Sequence, residues 1–142
     1  MMTNILPLDE ILDHFGLTGD QRAASAERAR DVTVTAGAGS GKTRTLVARY
    51  VGLLSEGIAP RRVAAITFTE KAAREMRTRV RQELRRLSLS AADEDARRFW
   101  NEIEAQMDSA RIGTIHSLCA EILRAHPAEA GLDPQFGVIE ES

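Results

Sequence analysis

The chain has 142 residues, of which 43% are hydrophobic and 28% are charged, so it is long enough for one soluble domain with a core. Its formal net charge of −2 excludes a globally basic surface, and its single cysteine, Cys119, excludes a disulfide framework and favours a reducing compartment. No apolar run approaches membrane-spanning length and Met1–Asn4 lack the pattern of a signal peptide, so we expect a cytoplasmic chain with no membrane partner.

The N-terminal segment predicts a helix, a second helix start and a strand. Apolar residues at helical spacing predict a short amphipathic helix over residues 8–16. Thr18 followed by Gln21 is the pattern of a capping box, which by itself explains both residues as helix-start groups. The apolar alternation of residues 31–35 then predicts a strand that leads into a glycine-rich turn.

The glycine-rich turn has the sequence Ala36-Gly37-Ala38-Gly39-Ser40-Gly41-Lys42-Thr43, and a helix is predicted to follow it over residues 46–54. A strand, a turn ending in Gly-Lys-Thr and a helix form the context of a phosphate-binding P-loop, although Ala36 stands where a glycine is usual. In that context Lys42 reaches the β- and γ-phosphates of a nucleotide and the Thr43 hydroxyl ligates Mg²⁺. The alternative is a strand-to-helix turn without a ligand, which the Gly-Lys-Thr end and the flanking elements disfavour.

The middle of the chain predicts a second strand and two helices. Residues 63–69 form an apolar run typical of a buried parallel strand, and a long helix is predicted over residues 70–87. Its basic face is by default solvated, with local attraction of phosphates as the alternative. The arginines of that face are Arg74, Arg77, Arg81 and Arg85. Ser90 with Asp93 predicts a second capping box, which opens a helix as far as Ala110 with Trp100 beside its apolar stripe.

The last segment completes a repeated alternation of strand and helix. Residues 111–115 predict a third strand, a helix follows from His116 and stops before Pro127, and residues 136–139 predict a fourth strand. Such alternation implies an α/β fold in which helices cover both faces of a parallel sheet. The phosphate-binding turn is then expected at the carboxyl edge of the strands.

Four blocks, taken in order, resemble the sequence motifs of one family. Leu17–Ala24 resembles the Q motif and Ala36–Thr43 resembles motif I. Ala65–Met76, with its Thr-Phe-Thr, resembles motif Ia, and Gly113–Cys119, with its Thr-Ile-His-Ser, resembles motif Ib. Together they resemble the N-terminal, RecA-like half of a superfamily 1 DNA helicase of the UvrD/Rep/PcrA type. The stretch from His126 to Pro134 is closer to the AddA/RecB helicase–nuclease branch.

The resemblance implies an ATP site on a P-loop NTPase fold. It implies that residues 36–43 hold the phosphates, that Lys42 and Thr43 serve catalysis, and that Thr43 binds Mg²⁺. It also implies that Gln21 reads the adenine while it still caps its helix, and that Arg44, which follows Gly-Lys-Thr, lies near the base.

The resemblance further implies single-stranded DNA as a partner. Thr67 and Thr69 are then expected to hydrogen-bond backbone phosphates, and Phe68 to stack on a base. His116 and Ser117 are candidates for contact with the same strand. Without the resemblance, Phe68 is interpreted as a core residue at a strand end and His116 as a structural group.

Two further parts of the family's ATPase are not found in the sequence. These are the Asp-Glu motif that holds Mg²⁺ and orients water, and the arginines of a second RecA-like domain. Val138-Ile139-Glu140-Glu141 resembles a strand followed by carboxylates, but in the family a segment at this place is not the metal-binding strand. We therefore expect residues 1–142 to be the N-terminal part of a UvrD-like ATP-binding domain, an incomplete domain 1A of a longer parent, and to be inactive in hydrolysis alone.

The parent is expected to be an ATP-dependent DNA helicase, moving 3′ to 5′ in DNA repair or recombination, with a partner nuclease or helicase subunit. The first alternative is a non-catalytic module that binds nucleotide or DNA, alone or as a regulator of a full-length relative. The second alternative is a P-loop enzyme of another class, such as a small-molecule kinase, which the motif Ia and Ib resemblances disfavour.

Overall fold

A short parallel sheet and the helices packed around it form the computed structural model, which describes residues 6–139. The helices are α1 (Leu8–His14), α2 (Gly19–Ala26), α3 (Lys42–Ser55), α4 (Glu70–Leu89), α5 (Glu94–Ala105), α6 (Ile115–Ala125) and α7 (Pro127–Ala130). The strands are β1 (Ala64–Thr67) and β2 (Arg111–Thr114), and 3₁₀ turns cover Pro60–Arg62 and Gln106–Ser109. The fold is therefore α/β, as the alternation predicts.

The two strands pair in parallel, with Ala64 opposite Arg111 and Thr67 opposite Thr114. A parallel pair needs a long crossover, which α4 and α5 supply here. Because both strands end at the same edge, the residues that follow β1 and the residues that follow β2 lie side by side.

The core lies between α1, α3, α4 and α5, where the apolar stripes of the helices meet. Its largest fully buried side chains include Trp100, Ile11, Leu12, Leu54, Leu84, Ile103 and Met107. Trp100 is thus a core residue, and its ring meets that of Phe99 edge-on at 5.0 Å between centroids. Each such side chain contributes on the order of 1.5–3 kcal/mol relative to an exposed one.

Two predicted strands do not form within the described residues. Residues 31–35 are irregular and exposed, with Val32 40% and Val34 51% accessible, and residues 136–139 are also irregular. The prediction failed because alternation of apolar and polar residues shows only that a segment is compatible with a strand. A strand forms only when a neighbouring strand pairs with its backbone hydrogen-bonding groups. Within residues 6–139, β1 and β2 are the only segments that pair with each other in this way.

Both predicted capping boxes are also wrong. Thr18 precedes α2 but its side chain makes no capping hydrogen bond. Asp93 itself caps α5, because its carboxylate accepts from the Ala96 N–H at 2.8 Å. Ser90 lies just after the end of α4, which extends to Leu89, and so terminates one helix instead of starting the next. The helix predicted as far as Ala110 ends at Ala105 and continues as the second 3₁₀ turn.

None of the helices within residues 6–139 combines the length and the apolar character that crossing a bilayer requires.

Candidate nucleotide and nucleic-acid site

The glycine-rich turn is an exposed loop that ends at the N-terminus of the 14-residue helix α3. Gly39 and Gly41 have φ values of +75° and +83°, a region that other residues rarely adopt, and Gly41 is the N-cap of α3. A Cβ on Gly41 would lie 2.9 Å from the Gln21 Nε2 atom, so the end of the Gln21 side chain packs directly against this glycine. The predicted P-loop thus has the backbone that its glycines permit, although the segment before it is not a strand.

The Lys42 side chain folds back over this turn. Its Nζ donates to the carbonyl oxygens of Ala36 at 2.7 Å and Gly37 at 3.3 Å. The first hydrogen bond from α3 back to the turn is from the Thr45 N–H to Gly41, and the first turn of α3 contains no acidic residue. Unpaired N–H groups, the helix dipole and an ammonium group therefore concentrate positive charge at one place, which favours an anion such as phosphate.

Gln21 reaches the same turn from α2. Its Nε2 donates to the Ser40 carbonyl oxygen at 2.9 Å, across 19 residues of sequence. Helix capping, which the sequence pattern suggests, is therefore not the role of this side chain in the structure. The contact leaves the Gln21 side-chain oxygen available as an acceptor beside the turn.

Two residues that the sequence analysis missed clamp α2 onto α3. The buried Ser25 Oγ donates to the Thr45 carbonyl oxygen at 3.1 Å. The Arg49 Nη1 donates to the Ala24 and Glu27 carbonyl oxygens at 2.8 and 2.6 Å, near the end of α2. The spacing of Ser25 one helical turn after Gln21 was the available signal, because residues four apart share a helix face.

Two charged side chains of α2 and its C-terminal turn have shifted pKa values because of their hydrogen bonds. Asp13 and Asp9 accept from Arg22 at 2.6 and 2.8 Å and raise the pKa of its guanidinium. The Ala29 N–H donates to Glu27 at 2.7 Å and lowers the pKa of that carboxyl group. Both contacts hold α2 and its C-terminal turn in place, so they support the site from outside.

Clefts lie on both sides of the turn. One, of about 630 Å³, is bordered by Gln21, Ser40, Lys42 and the exposed segment 31–36. On the other side Arg44 lines a cleft of about 490 Å³ between α1, α3 and α4. The Arg44 Nη2 lies 3.8 Å from the Cβ position built on Gly41, so the Arg44 and Gln21 side chains both approach this glycine.

Thr43 and Arg44 are exposed and have no side-chain hydrogen bond or ion pair to the described residues. Residues 6–139 contain no group of three or more His, Cys, Asp or Glu side chains arranged as a metal site. Glu140 and Glu141 lie outside the described residues. The Thr43 hydroxyl oxygen is thus exposed next to the glycine-rich turn, with no partner among the described residues.

The second group of predicted residues lies where β1 ends. The Phe68 side chain is 96% exposed, in the short connection to α4. The connection is held on both sides of the ring: the Thr67 Oγ1 donates to the Thr69 carbonyl oxygen at 3.0 Å, and the Thr69 Oγ1 accepts from the Ala72 N–H at 3.1 Å. Phe68 is therefore not the core residue that its place at a strand end suggests.

The residues after β2 lie next to this connection. The Thr114 Oγ1 caps α6 by accepting from the Ser117 N–H at 3.2 Å, and the two hydroxyl oxygens are 2.9 Å apart. The Glu70 Oε1 accepts from both hydroxyls at 3.3 Å and so joins α4 to α6, a role that the sequence analysis missed. His116 is exposed beside them.

The model of the family described as the UvrD/REP helicase N-terminal domain matches residues 17–142. Among similar proteins, three carry names that describe them as subunits of an ATP-dependent helicase/nuclease. They come from Desulforudis audaxviator (41% identity over 88% of this chain), Pelotomaculum thermopropionicum (38% over 89%) and Ligilactobacillus salivarius (34% over 89%). In each case this chain covers only 10% of the relative's length.

These matches confirm the resemblance to superfamily 1 helicases, and the relatives' names are consistent with the AddA/RecB-like helicase–nuclease branch. They cover the Gln21, P-loop, Phe68 and His116 segments described above. The chain belongs to the UvrD/REP helicase N-terminal domain family.

Proposed function

We propose that this chain is the ATP- and single-stranded-DNA-binding N-terminal segment of an ATP-dependent DNA helicase that acts in DNA repair or recombination. The observation that carries the proposal is Phe68, an aromatic ring 96% exposed at a strand end, in a chain that also has a phosphate-binding turn. An exposed apolar ring held between two hydrogen-bonded threonines contributes nothing to the core, whereas it suits stacking on nucleic-acid bases. An enzyme that only binds a nucleotide and a small metabolite does not require an exposed aromatic ring at this place.

At the nucleotide end, Lys42 exchanges its hydrogen bonds with the Ala36 and Gly37 carbonyls for bonds to phosphate oxygens. Thr43 supplies a hydroxyl ligand to Mg²⁺, and Gln21 and Arg44, which both lie close to Gly41, contact the adenine. When bound, Mg-ATP supplies a transferable γ-phosphoryl group whose charge the metal neutralises. The turn itself binds and orients the phosphates through backbone N–H groups.

At the DNA end, the hydrogen bonds distinguish the two threonines. The Thr67 hydroxyl donates its hydrogen to the Thr69 carbonyl oxygen, so it is not free to donate to a phosphate. The Thr69 oxygen accepts from Ala72 and keeps its hydroxyl hydrogen for a phosphate oxygen. His116 is exposed and offers a ring N–H to the strand, while Ser117, bonded to Glu70, positions the first turn of α6.

For the whole protein we propose a RecA-like domain of which residues 1–142 are the first part. The parent couples ATP hydrolysis to movement on single-stranded DNA, 3′ to 5′, in the cytoplasm and with a partner nuclease or helicase subunit. We propose that the catalytic carboxylate and the arginines that act on the γ-phosphate come from elsewhere in the parent, since such ATPases need both groups. The chain alone then binds nucleotide without turnover.

The test is a titration of the 142-residue chain with a fluorescent ATP analogue and Mg²⁺. Lys42→Ala is expected to abolish binding while its melting temperature is unchanged, because Lys42 bonds only to exposed loop carbonyls. Arg97→Ala, which removes an exposed cation from α5, is the matched control and is expected to bind normally. Unchanged affinity in Lys42→Ala would refute the nucleotide site.

ATP turnover, measured with and without single-stranded DNA, tests the second part of the proposal. We expect binding without turnover. DNA-stimulated turnover by this chain would instead mean that it supplies its own catalytic carboxylate, and Glu140 and Glu141 would then be the first residues to replace.

A further inference from the structure

The basic residues of α4 fall into two groups that the sequence does not distinguish. Arg77, Arg81 and Arg85 are used by the fold, because each contacts an element packed beside α4. Their partners are the Ile112 carbonyl oxygen at 2.5 Å, the Asp108 carboxylate at 2.7 Å and the Glu104 carboxylate at 2.7 Å. Arg77 and Arg85 are nevertheless exposed, so the face is solvated as the default interpretation has it, but these three guanidinium groups also have partners in the fold.

The second group is Lys71, Arg74 and Arg79, which are exposed and make no hydrogen bond or ion pair with the described residues. They lie on one side of α4, because all three line the same depression. Together with Glu75, Thr78 and Gln82 they line a shallow depression of about 340 Å³. Within this depression Glu75 is the one carboxylate against three cations, on a chain whose net charge is −2.

The depression continues at both ends. Arg79 and Gln82 also line the 490 Å³ cleft that Arg44 borders, while Lys71 lies in the first turn of α4, directly after the Phe68 connection. We call Lys71, Arg74 and Arg79 the α4 track. Glu83 in the neighbouring cleft does not oppose it, because its carboxylate already accepts from Arg86 and contacts His14, each at 2.8 Å.

We propose that the α4 track binds the backbone phosphates of a single-stranded DNA segment continuing from Phe68; this rests on the DNA-binding function proposed above. Lys71 and Arg79 are separated by about 12 Å at 1.5 Å of helix rise per residue. At the roughly 3.4 Å per phosphate of one strand in a duplex, that length spans at most about four phosphates, and a more extended single strand places fewer along it.

The chemistry of the track favours nucleic acid over an acidic protein. The centres of protein interfaces are depleted of charged residues, whereas four of the six residues that line the depression over α4 are charged. A phosphate backbone needs only cations at suitable spacing, which release bound counterions when it binds.

The experiment measures binding of fluorescent oligothymidylates, about 3 and about 16 nucleotides long, to the full 142-residue chain at about 50–200 mM salt. The test variant is Arg74→Gln with Arg79→Gln. The control variant is Arg97→Gln with Arg98→Gln, which removes the same charge from exposed side chains of α5.

For the longer oligonucleotide, losing two phosphate contacts reduces the slope of log affinity against log salt by about 1.4, at about 0.7 per contact. At about 50 mM salt the wild-type chain is then expected to bind at least about sevenfold more tightly than the test variant. The ratio of the two affinities is expected to fall by a factor of about seven between about 50 and about 200 mM salt. The shorter oligonucleotide, which reaches only the Phe68 end, and the control variant are expected to show no such change. Arg74→Lys with Arg79→Lys keeps both charges and is expected to keep the wild-type slope.

Equal losses in the test and control variants, or equal losses on both oligonucleotides, would overturn the α4 track. Polyglutamate that competes as well as the longer oligonucleotide would indicate a general polyanion surface and would also overturn it. If the track alone is wrong, Phe68→Ala still weakens binding of both oligonucleotides. If the wild-type chain binds nucleotide but neither oligonucleotide, the proposed DNA-binding function and the track fail together.

Discussion

Replacement of Phe68 by alanine tests the DNA-binding edge, because the structure separates its effect on binding from its effect on folding. The side chain is 96% exposed, so its removal leaves no cavity and is expected to change the free energy of unfolding by less than about 0.5 kcal/mol. Stacking of an aromatic ring on a base contributes on the order of 1–3 kcal/mol. The dissociation constant for single-stranded DNA is therefore expected to rise about 5- to 150-fold.

The assay is fluorescence anisotropy of a labelled oligothymidylate, with the melting temperature of each variant measured in parallel. Leu89→Ala is the matched control, because Leu89 is also a large exposed apolar residue (83%) but lies at the opposite end of α4. Stacking releases no counterions, so Phe68→Ala is expected to keep the wild-type salt dependence. Phe68→Trp is expected to retain binding.

Two results would refute this reasoning. Equal affinity in the wild type and Phe68→Ala would show that the ring does not contact DNA. A loss of affinity accompanied by a large fall in melting temperature would show that Phe68 supports the fold, against its exposure in the structure.

Three further variants test other parts of the structure. Burial raises the pKa of Tyr50 from 10.0 to about 12, so the folded chain retains the phenol proton after the unfolded chain has lost it. The free energy of unfolding is therefore expected to fall by on the order of 3 kcal/mol as the pH rises from 10 to about 12, with the full contribution of Tyr50 present below pH 10. Tyr50→Phe has no phenol proton and is expected to lack this fall. Urea unfolding of both proteins at several pH values measures the difference. Gln21→Ala removes the 2.9 Å bond to Ser40 and is expected to weaken ATP binding about 2- to 10-fold without lowering the melting temperature; equal affinities would exclude a role in nucleotide binding. Gly52→Val is expected to lower the free energy of unfolding by about 1–3 kcal/mol, since a Cβ there lies 2.8 Å from the Leu8 Cδ1, and Leu8→Ala in the same chain should recover part of the loss.

The sequence by itself determined the elements whose signals are local. The helical period of apolar residues located α1, α3, α4 and α6, and two apolar runs located β1 and β2, in each case to within a few residues. The Gly-Lys-Thr turn could also be predicted from the sequence, because its glycines and the start of α3 are neighbours in the chain. The roles assigned to individual site residues remain predictions.

Only the tertiary structure decided which partner each polar group has. Gln21 fits a capping pattern, yet its hydrogen bond goes to Ser40, 19 residues away. Arg77 and Arg74 look alike in sequence, yet Arg77 bonds to Ile112, 35 residues away, and Arg74 faces solvent. Residues 31–35 have the composition of a strand but no neighbour to pair with in residues 6–139. The period of apolar residues in the sequence shows which face of a helix or strand is apolar, because that pattern is local. The hydrogen-bond partner of a polar group depends on which elements pack together in the folded chain, and a local pattern does not determine this.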